Sequence, residues 1–267
     1  MQWSRVALSA FAGLVLCMNA SPVVGQAREV WVEGPRPVAE AVDKLVEDCR
    51  CVITYEDPLW DSAEIIDVTD SVSRVKNPPR RIYVPKGVGF SFPYERPSKM
   101  NGPQDMSGAV ATMLQWYDYK GLNSQFRVET SANGLHVVPV RGSVLDVQMS
   151  VPEGEGRATD VLASFVTELG KAIKRKVSLG TVPTGHLSTS KAQISASKEP
   201  ARSVLARVLS SSGRKVYWQL FYDYTLQFYA LNLALADPIR CESAQRGASC
   251  DPGDTEKAVR YDGPPPQ

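Results

Sequence analysis

The chain contains few of the residues that most often carry out catalysis or bind metal. Only two of its 267 residues are histidines, His136 and His186, and neither stands in a motif with a serine, cysteine or aspartate. His136 alternates with apolar residues in "LHVVPV", so we expect it to point outward from an edge strand. Cys49 and Cys51 form a C-x-C pair without an accompanying histidine, which is a weak zinc signal. We therefore expect no metal, no other cofactor and no enzymatic activity.

The chain also lacks a long apolar segment and an excess of charge. The run Val6–Met18 follows a single basic residue, Arg5, and is too short to span a bilayer comfortably. Small residues come after it, which is typical of a secretory signal peptide, and we predict cleavage after Ala27 and a periplasmic or secreted protein. Cleavage would remove Arg5 and no acidic residue, so the formal charge would fall from +1 to zero. We expect no transmembrane segment in the mature chain and no nucleic-acid partner, because a neutral protein does not attract polyanions over long distances.

Four cysteines would remain after cleavage: Cys49, Cys51, Cys241 and Cys250. In an oxidising compartment they can form disulfides, with three possible connectivities. We expect Cys49 and Cys51 to be too close in sequence to bridge each other without strain. A bond between Cys241 and Cys250 would close a polar loop and contribute about 2–3 kcal/mol of stability. The alternative is a bond from one of these two cysteines back to Cys49 or Cys51.

Hydrophobic periodicity predicts the same order of elements twice. After the signal peptide at 1–27, residues 28–142 (the first half) and 143–240 (the second half) each read β-α-β-β-α-β-β, and the first half carries a long loop insertion. Each half has about a hundred residues, enough for one small core. We therefore predict the α+β class, with two tandem small modules whose helices pack on small mixed sheets and which each close their own sandwich. Residues 241–267 are polar and rich in proline and glycine, and we predict a disordered tail.

The segment "VYWQLFYDYTLQFYALNL", Val216 to Leu233, is the most aromatic stretch of the mature chain. It predicts two strands with a turn around Asp223 and Tyr224, in which Trp218 faces Ala230 and Leu220 faces Phe228. One face of this hairpin would pack on the helix "ARSVLARVL". The other face, which bears tyrosines, would be left for a partner.

Two helices carry a family resemblance. "PVAEAVDKLVED" leads into a strand, and "PARSVLARVLSSSGRKVYWQL" joins a helix to a hairpin. Both segments, and the order of elements around them, resemble the secretin and TonB short N-terminal (STN) domain, although Cys49-Arg50-Cys51 stands where a turn ending in glycine is more usual. The resemblance implies two tandem periplasmic contact domains without catalytic residues. It also implies an envelope protein as partner, with components of secretion or TonB-dependent transport as candidates.

The predicted function is protein–protein interaction or scaffolding, by strand addition to a sheet edge or by docking on the hairpin. The candidate binding residues are Tyr217, Phe221 and Tyr229 of the hairpin, with Trp60 of the long loop as an exposed anchor. Two alternatives remain open. One is a cell-wall or glycan-binding protein that uses the same aromatic residues. The other is a hydrolase that uses an acidic cluster after the first half's "TYEDP", with these members: Glu56, Asp57, Asp61 and Glu64.

Overall fold

The computed structural model describes residues 27–72, 80–97, 100, 102–121 and 125–237. Within them the protein has an α+β structure with several sheets, which confirms the predicted class. Residues 1–26 of the predicted signal peptide lie outside the described residues. The predicted tail, with Cys241 and Cys250, also lies outside them.

The first half contains two main helices, which begin and end where the sequence indicates. Pro37 opens the first helix because its fixed φ suits a first turn, and Arg50 ends it in a left-handed conformation. The predicted apolar stripe of this helix is buried. The elements are β1 (Ala27–Val32), α1 (Pro37–Cys49), β2 (Ile53–Glu56), β3 (Ile65–Asp67), α2 (Thr69–Val72), β4 (Tyr83–Pro85), β5 (Phe90–Glu95), α3 (Ser107–Tyr119), β6 (Phe126–Thr130) and β7 (Leu135–Pro139).

The second half repeats this order without the β3–β4 insertion. Its last helix begins directly after Pro200, and its apolar stripe is buried. The elements are β8 (Gln148–Arg157), α4 (Ala158–Ile173), β9 (Val177–Leu179), α5 (Thr184–Leu187), β10 (Lys191–Pro200), α6 (Ala201–Ser210), β11 (Val216–Asp223) and β12 (Phe228–Leu235).

The largest sheet crosses the midpoint of the chain. It has six strands in the order β6-β7-β2-β11-β12-β9, while β1–β5, β8–β10 and β3–β4 form two-stranded sheets. The two halves join where β2 runs parallel to β11, with Tyr55 beside Gln219. The expectation that each half closes its own sheet is therefore wrong. All four residues of β2 are buried, and a strand buried on both faces needs neighbours on both edges.

The helices of the two halves lie on opposite faces of this sheet. Tyr55 and Gln219 face α1, whereas the next residues, Glu56 and Leu220, face α6. Each half still buries an apolar cluster of its own, and Tyr217 and Phe221 of β11 pack against the cluster of the first half. The second half's β11 thus contributes side chains to both clusters.

The register of the β11–β12 hairpin differs from the prediction. Trp218 lies opposite Leu233 and Leu220 opposite Leu231, so the strands are longer and the turn later than expected. The turn begins after Asp223, whose Oδ1 accepts the N–H of Leu226 at 2.8 Å. An aspartate side chain can close such a turn without glycine. The predicted register did not take this hydrogen bond of Asp223 into account.

Cys49 and Cys51 form a disulfide with each other, contrary to expectation. Their Cα atoms are 5.2 Å apart, within the ordinary range for a disulfide. The left-handed conformation of Arg50 between them, with φ of 51°, folds the chain back so that both side chains meet.

Candidate functional site

Two of the aromatic residues predicted to bind a partner are buried. Tyr229 is 1% exposed within the cluster of the second half, because the observed register places it opposite Tyr222 on the helix-covered face. Trp60 is 7% exposed and packs edge-on against Phe126, with ring centroids 6.5 Å apart. The exposure expected for both residues is wrong.

The other two predicted residues, Tyr217 and Phe221, are half-buried on the face of β11 that covers α1. The Tyr217 hydroxyl donates to Asp43 Oδ1 at 3.0 Å, and Gln219 Nε2 donates to the same oxygen at 2.8 Å. Burial raises the pKa of the Asp43 carboxyl, and these two hydrogen bonds oppose the rise. The tyrosine side of the hairpin is therefore engaged with α1 of the same molecule.

Asp57 is a fully buried carboxylate that joins three parts of the fold. Its Oδ2 accepts Arg36 Nε at 2.7 Å and the Tyr222 N–H at 2.9 Å, and its Oδ1 accepts the Tyr55 hydroxyl at 2.8 Å. The same Arg36 guanidinium lies 4.8 Å from the ring centre of Phe221. Burial raises the pKa of Asp57, and Arg36 opposes this rise.

Glu56 points to the opposite face of the sheet from Asp57 and meets Arg202 of α6. Arg202 Nη2 lies 3.0 Å from Glu56 Oε1 as an ion pair, but Oε1 accepts no well-aligned hydrogen bond from any described residue. The Ser143 hydroxyl donates to Oε2, and Arg202 Nη2 donates to Ser143 Oγ at 2.7 Å. Burial raises the pKa of Glu56 to about 7, although Arg202 opposes the rise. Sequence reasoning missed Arg202 because the other charged residue of its helix, Arg207, is exposed.

The remaining acidic residues of the proposed hydrolase cluster are near the surface. Asp61 is exposed and pairs with Arg141 at 3.0 Å. The Glu64 carboxylate accepts the backbone N–H of Asp61 at 2.7 Å, which caps a short turn. The four acidic residues therefore have separate partners, and the structure does not bring them together as a carboxylate pair.

His136 lies in the interior of the sheet, so its expected outward orientation is wrong. It is 3% exposed, stacks on Trp218 with ring centres 5.3 Å apart, and bonds Thr54 Oγ1 through Nδ1 at 2.8 Å. Its Nε2 lies 2.9 Å from Ser131 Oγ. Burial, and then the charge of Arg202, lower the pKa of His136 to about 4. The ring is therefore neutral at ordinary pH. His186 lies in the short helix α5.

Among the described residues, β9 has a strand neighbour on one side only, so its other edge is free. β9 is the last strand of the sheet. Lys176 O accepts the Tyr229 N–H at 3.0 Å and the Gly180 N–H donates to Leu231 O at 2.8 Å, so the peptide groups of alternate residues face β12. Those of Val177 and Leu179 therefore face away from the sheet.

A groove of about 430 Å³ runs between this edge and α4. Its lining is mostly apolar, with small side chains of α4 on one side and β9 on the other. Ala163 and Thr167, one turn apart on α4, are both exposed within it. A polar cleft of about 570 Å³ lies elsewhere beside β3–β4, but its Arg81 already pairs with Asp67 at 2.6 Å. The groove beside β9 is the candidate site because it combines a mostly apolar lining with the outward-facing edge of a strand. Its lining residues are Thr159, Ala163, Val166, Thr167, Val177, Ser178, Leu179, Gly180, Val182 and Thr184.

Both halves contain this groove at corresponding positions. Arg50 after α1 and Lys174 after α4 are left-handed caps, with φ of 51° and 54°. The carbonyl two residues after each cap accepts an equivalent bond from the neighbouring strand, Leu135 N–H to Val52 O and Tyr229 N–H to Lys176 O, both at 3.0 Å. Counting from these caps, Ala163 and Thr167 correspond to Ala39 and Asp43, and Val177 and Leu179 correspond to Ile53 and Tyr55.

The groove of the first half is filled by β11. Tyr217 and Gln219 bind Asp43, and Gln219 Nε2 also donates to Ala39 O at 3.1 Å. Ala39 is consequently buried, whereas its counterpart Ala163 is exposed. One groove thus holds a parallel strand, and the corresponding groove of the second half is open along the described residues.

Comparisons with known proteins found no matching family model, no matching curated protein and no matching solved structure. Within the described residues, no group of three or more histidine, cysteine, aspartate or glutamate side chains is arranged to hold a metal ion. In the same part of the chain, no helix combines the length and apolarity needed to cross a membrane.

Proposed function

We propose that the protein is exported to the bacterial envelope and acts there as a protein–protein contact or scaffolding protein built from two tandem STN-like modules. Four features support the two-module part of this proposal. The two halves share their order of elements, their left-handed helix caps and the first backbone bond after each cap. The STN-like sequence segments also lie on α1 and on α6–β11. The candidate partners are envelope proteins, including components of secretion and TonB-dependent transport.

Binding occurs by addition of a partner strand to β9. The observation that carries this proposal is the contrast between two corresponding grooves, one filled by β11 and the other open. Edge strands offer unpaired N–H and C=O groups, and a strand that adds to such an edge gains main-chain hydrogen bonds while its alternate side chains enter a groove. The groove beside β9 provides both features.

Neither alternative function is favoured by a specific observation. The aromatic residues suggested for glycan binding are buried or engaged with α1. The acidic residues suggested for hydrolysis have separate partners. Both alternatives would need residues other than the ones the sequence suggested.

Site-specific photocross-linking in cells tests strand addition. A photoreactive residue at Ser178 should capture a discrete envelope protein, and one at the exposed Glu29 of β1 should not capture it. Leu179→Pro should abolish the capture, because it removes an N–H that faces the free edge, while Leu179→Ala should retain it. Equal capture in the proline and alanine variants would refute strand addition at β9. Fractionation and N-terminal sequencing of the mature protein test export and cleavage after Ala27.

A further inference from the structure

The open groove differs from the filled one in the hydrogen-bond acceptors that it offers. Thr167 stands in the place of Asp43, so the carboxylate that receives Tyr217 and Gln219 has no counterpart. The Thr167 hydroxyl also donates to Ala163 O at 2.8 Å, which already engages the carbonyl corresponding to Ala39 O. A polar side chain in this groove would find few partners, and a charged one would lose its hydration without compensation. The open groove therefore favours uncharged, apolar side chains.

The filled groove also shows how the side chains of a bound strand are spaced. β11 runs parallel to β2, and its residues Tyr217 and Gln219, two apart, face α1. This is the period of any extended strand, so a strand beside β9 would present every second side chain to α4. The side chains of a partner strand that enter the groove are therefore two residues apart in its sequence.

The two grooves differ in charge at one end, which lies near the start of β9 in the second half and near the start of β2 in the first half. In the first half, Lys215 of the bound segment donates to Arg50 O at 3.3 Å, and the acidic Glu47 lies in the last turn of α1. In the second half Lys171 takes the position of Glu47 but pairs with Glu168 at 2.7 Å, so the positive charge at this end comes from Lys174 and Lys176, which follow it. An acidic residue would be favoured there, where the filled groove holds a lysine.

We infer that the groove binds an extended segment of a partner protein that runs parallel to β9 and carries an acidic residue followed, two and four positions later, by uncharged apolar side chains. This inference rests on the proposed function and specifies the strand that is added. A second copy of the chain fits less well. Its corresponding free edge is β6, which would bring the charged Arg127 and Glu129 to the apolar groove.

Synthetic peptides test the inference on the purified protein. The parent peptide has about nine residues with capped ends, aspartate as the acidic residue, valine at both groove positions and threonine elsewhere. One variant has glutamate in place of both valines, and another has lysine in place of the aspartate. We expect the parent to bind roughly tenfold tighter than either variant by calorimetry. We also expect it to shift the backbone amide resonance of Leu179.

Variants of the protein give a second measurement. Thr167→Asp restores the carboxylate of the filled groove, so it should weaken binding of the parent peptide and strengthen binding of a peptide with tyrosine and glutamine at the groove positions. Ser164→Asp, exposed on α4 outside the groove lining, adds the same charge and should leave this preference unchanged.

The outcomes separate the inference from the function on which it rests. If all peptides bound equally and each shifted the amide resonance of Leu179, the inferred side-chain preference of the groove would be overturned. The proposal of strand addition to β9 would still hold. Absence of peptide binding would overturn the inferred side-chain preference of the groove. Strand addition to β9 would be refuted as well only if the Leu179→Pro variant also left cross-linking unchanged. A dimer in sedimentation that Leu179→Pro dissociates would make a second copy the occupant. A large gain in peptide affinity on truncation after Asp237 would make the chain's own tail the occupant, and either result would overturn the inference.

Discussion

The Tyr217 hydroxyl donates to Asp43 Oδ1 at 3.0 Å, which links a strand of the second half to a helix of the first. The two residues are far apart in sequence, yet Tyr217 lies where a separate peptide strand would place its own side chain. The halves are therefore joined by the kind of contact that we propose for a partner at β9.

Tyr217→Phe should weaken this link. The change leaves the ring in place and removes one of the two side-chain donors to the half-buried Asp43 carboxylate, while Gln219 remains as the other. We expect the free energy of unfolding to fall by about 1–2 kcal/mol in urea titrations at neutral pH. Tyr119→Phe removes a hydroxyl from a side chain that is 82% exposed and should have no measurable effect. Equal effects of the two variants would contradict a role for the Tyr217–Asp43 bond.

Arg202→Met should destabilise the contact between the two halves much more strongly than Tyr217→Phe does. Arg202 is buried near three acidic side chains, at 3.0 Å from both Glu56 and Asp146 and in contact with Glu129. Its loss would leave Glu56 buried without a cation, and we expect a cost of about 3–5 kcal/mol in chemical denaturation. Arg207→Met in the same helix removes an exposed ion pair with Glu199 and should change stability little. Similar unfolding curves for the two variants would argue against Arg202 as the residue that holds the junction together.

The buried Glu56 carboxyl should make stability depend on pH. Its pKa is about 7 in the folded protein, against an ordinary value of 4.5. Between these values the folded state keeps a proton that the unfolded chain has lost, so the free energy of unfolding falls as the pH rises. Relative to the parent, Glu56→Gln should gain stability as the pH rises from about 4.5 to 7 and change no further above that. His136 titrates in both proteins, so its contribution cancels in this difference. A difference that stays flat across the window would show that Glu56 titrates normally.

The helices were predictable because their signals are local. Pro37 at the first turn and an apolar stripe that includes Val38 and Leu45 define α1 without reference to the rest of the chain. The pairing of β2 with β11 has no such signal. A buried strand such as "ITYE" shows that it needs neighbours, but not which strand, more than a hundred residues away, will be one of them.

The sequence did not predict the groove beside β9. It predicted strand addition to a sheet edge or docking on the hairpin, but the residues chosen were aromatic, and aromatic residues are the ones that a fold tends to bury. The groove beside β9 depends instead on small residues, Ala163 and Thr167, one turn apart on α4. In a sequence, such residues look like an ordinary exposed helix face. The proposal that the open groove holds a strand comes only from its filled counterpart in the first half.

A tryptic map without reducing agent tests the disulfide. Trypsin cleaves after Arg50, between the two bonded cysteines, so the peptide ending at Arg50 should remain joined to the peptide starting at Cys51 until reductant is added. The bond closes a very short loop, so replacing both cysteines with serine should cost only about 1–2 kcal/mol. Peptides joined from Cys49 or Cys51 to Cys241 or Cys250 would contradict the observed pairing.

Leu179, the last residue of β9, and Gly180, which follows it, should differ in how much a proline destabilises the fold. The Leu179 N–H faces the free edge, whereas the Gly180 N–H donates to Leu231 O at 2.8 Å. Each proline variant is compared with alanine at the same position, because Leu179→Ala accounts for the lost side chain. Gly180→Ala accounts for the new Cβ, which would lie 2.3 Å from Asn232 Oδ1.

At Leu179, the proline variant should have nearly the same free energy of unfolding as the alanine variant. At Gly180, the proline variant should be less stable than the alanine variant by about 1–3 kcal/mol, because only this proline removes a hydrogen bond of the sheet. Denaturation of the four variants in urea measures both differences. An equal cost at both positions would mean that the outer edge of β9 is already paired, and strand addition would then have no free edge to use.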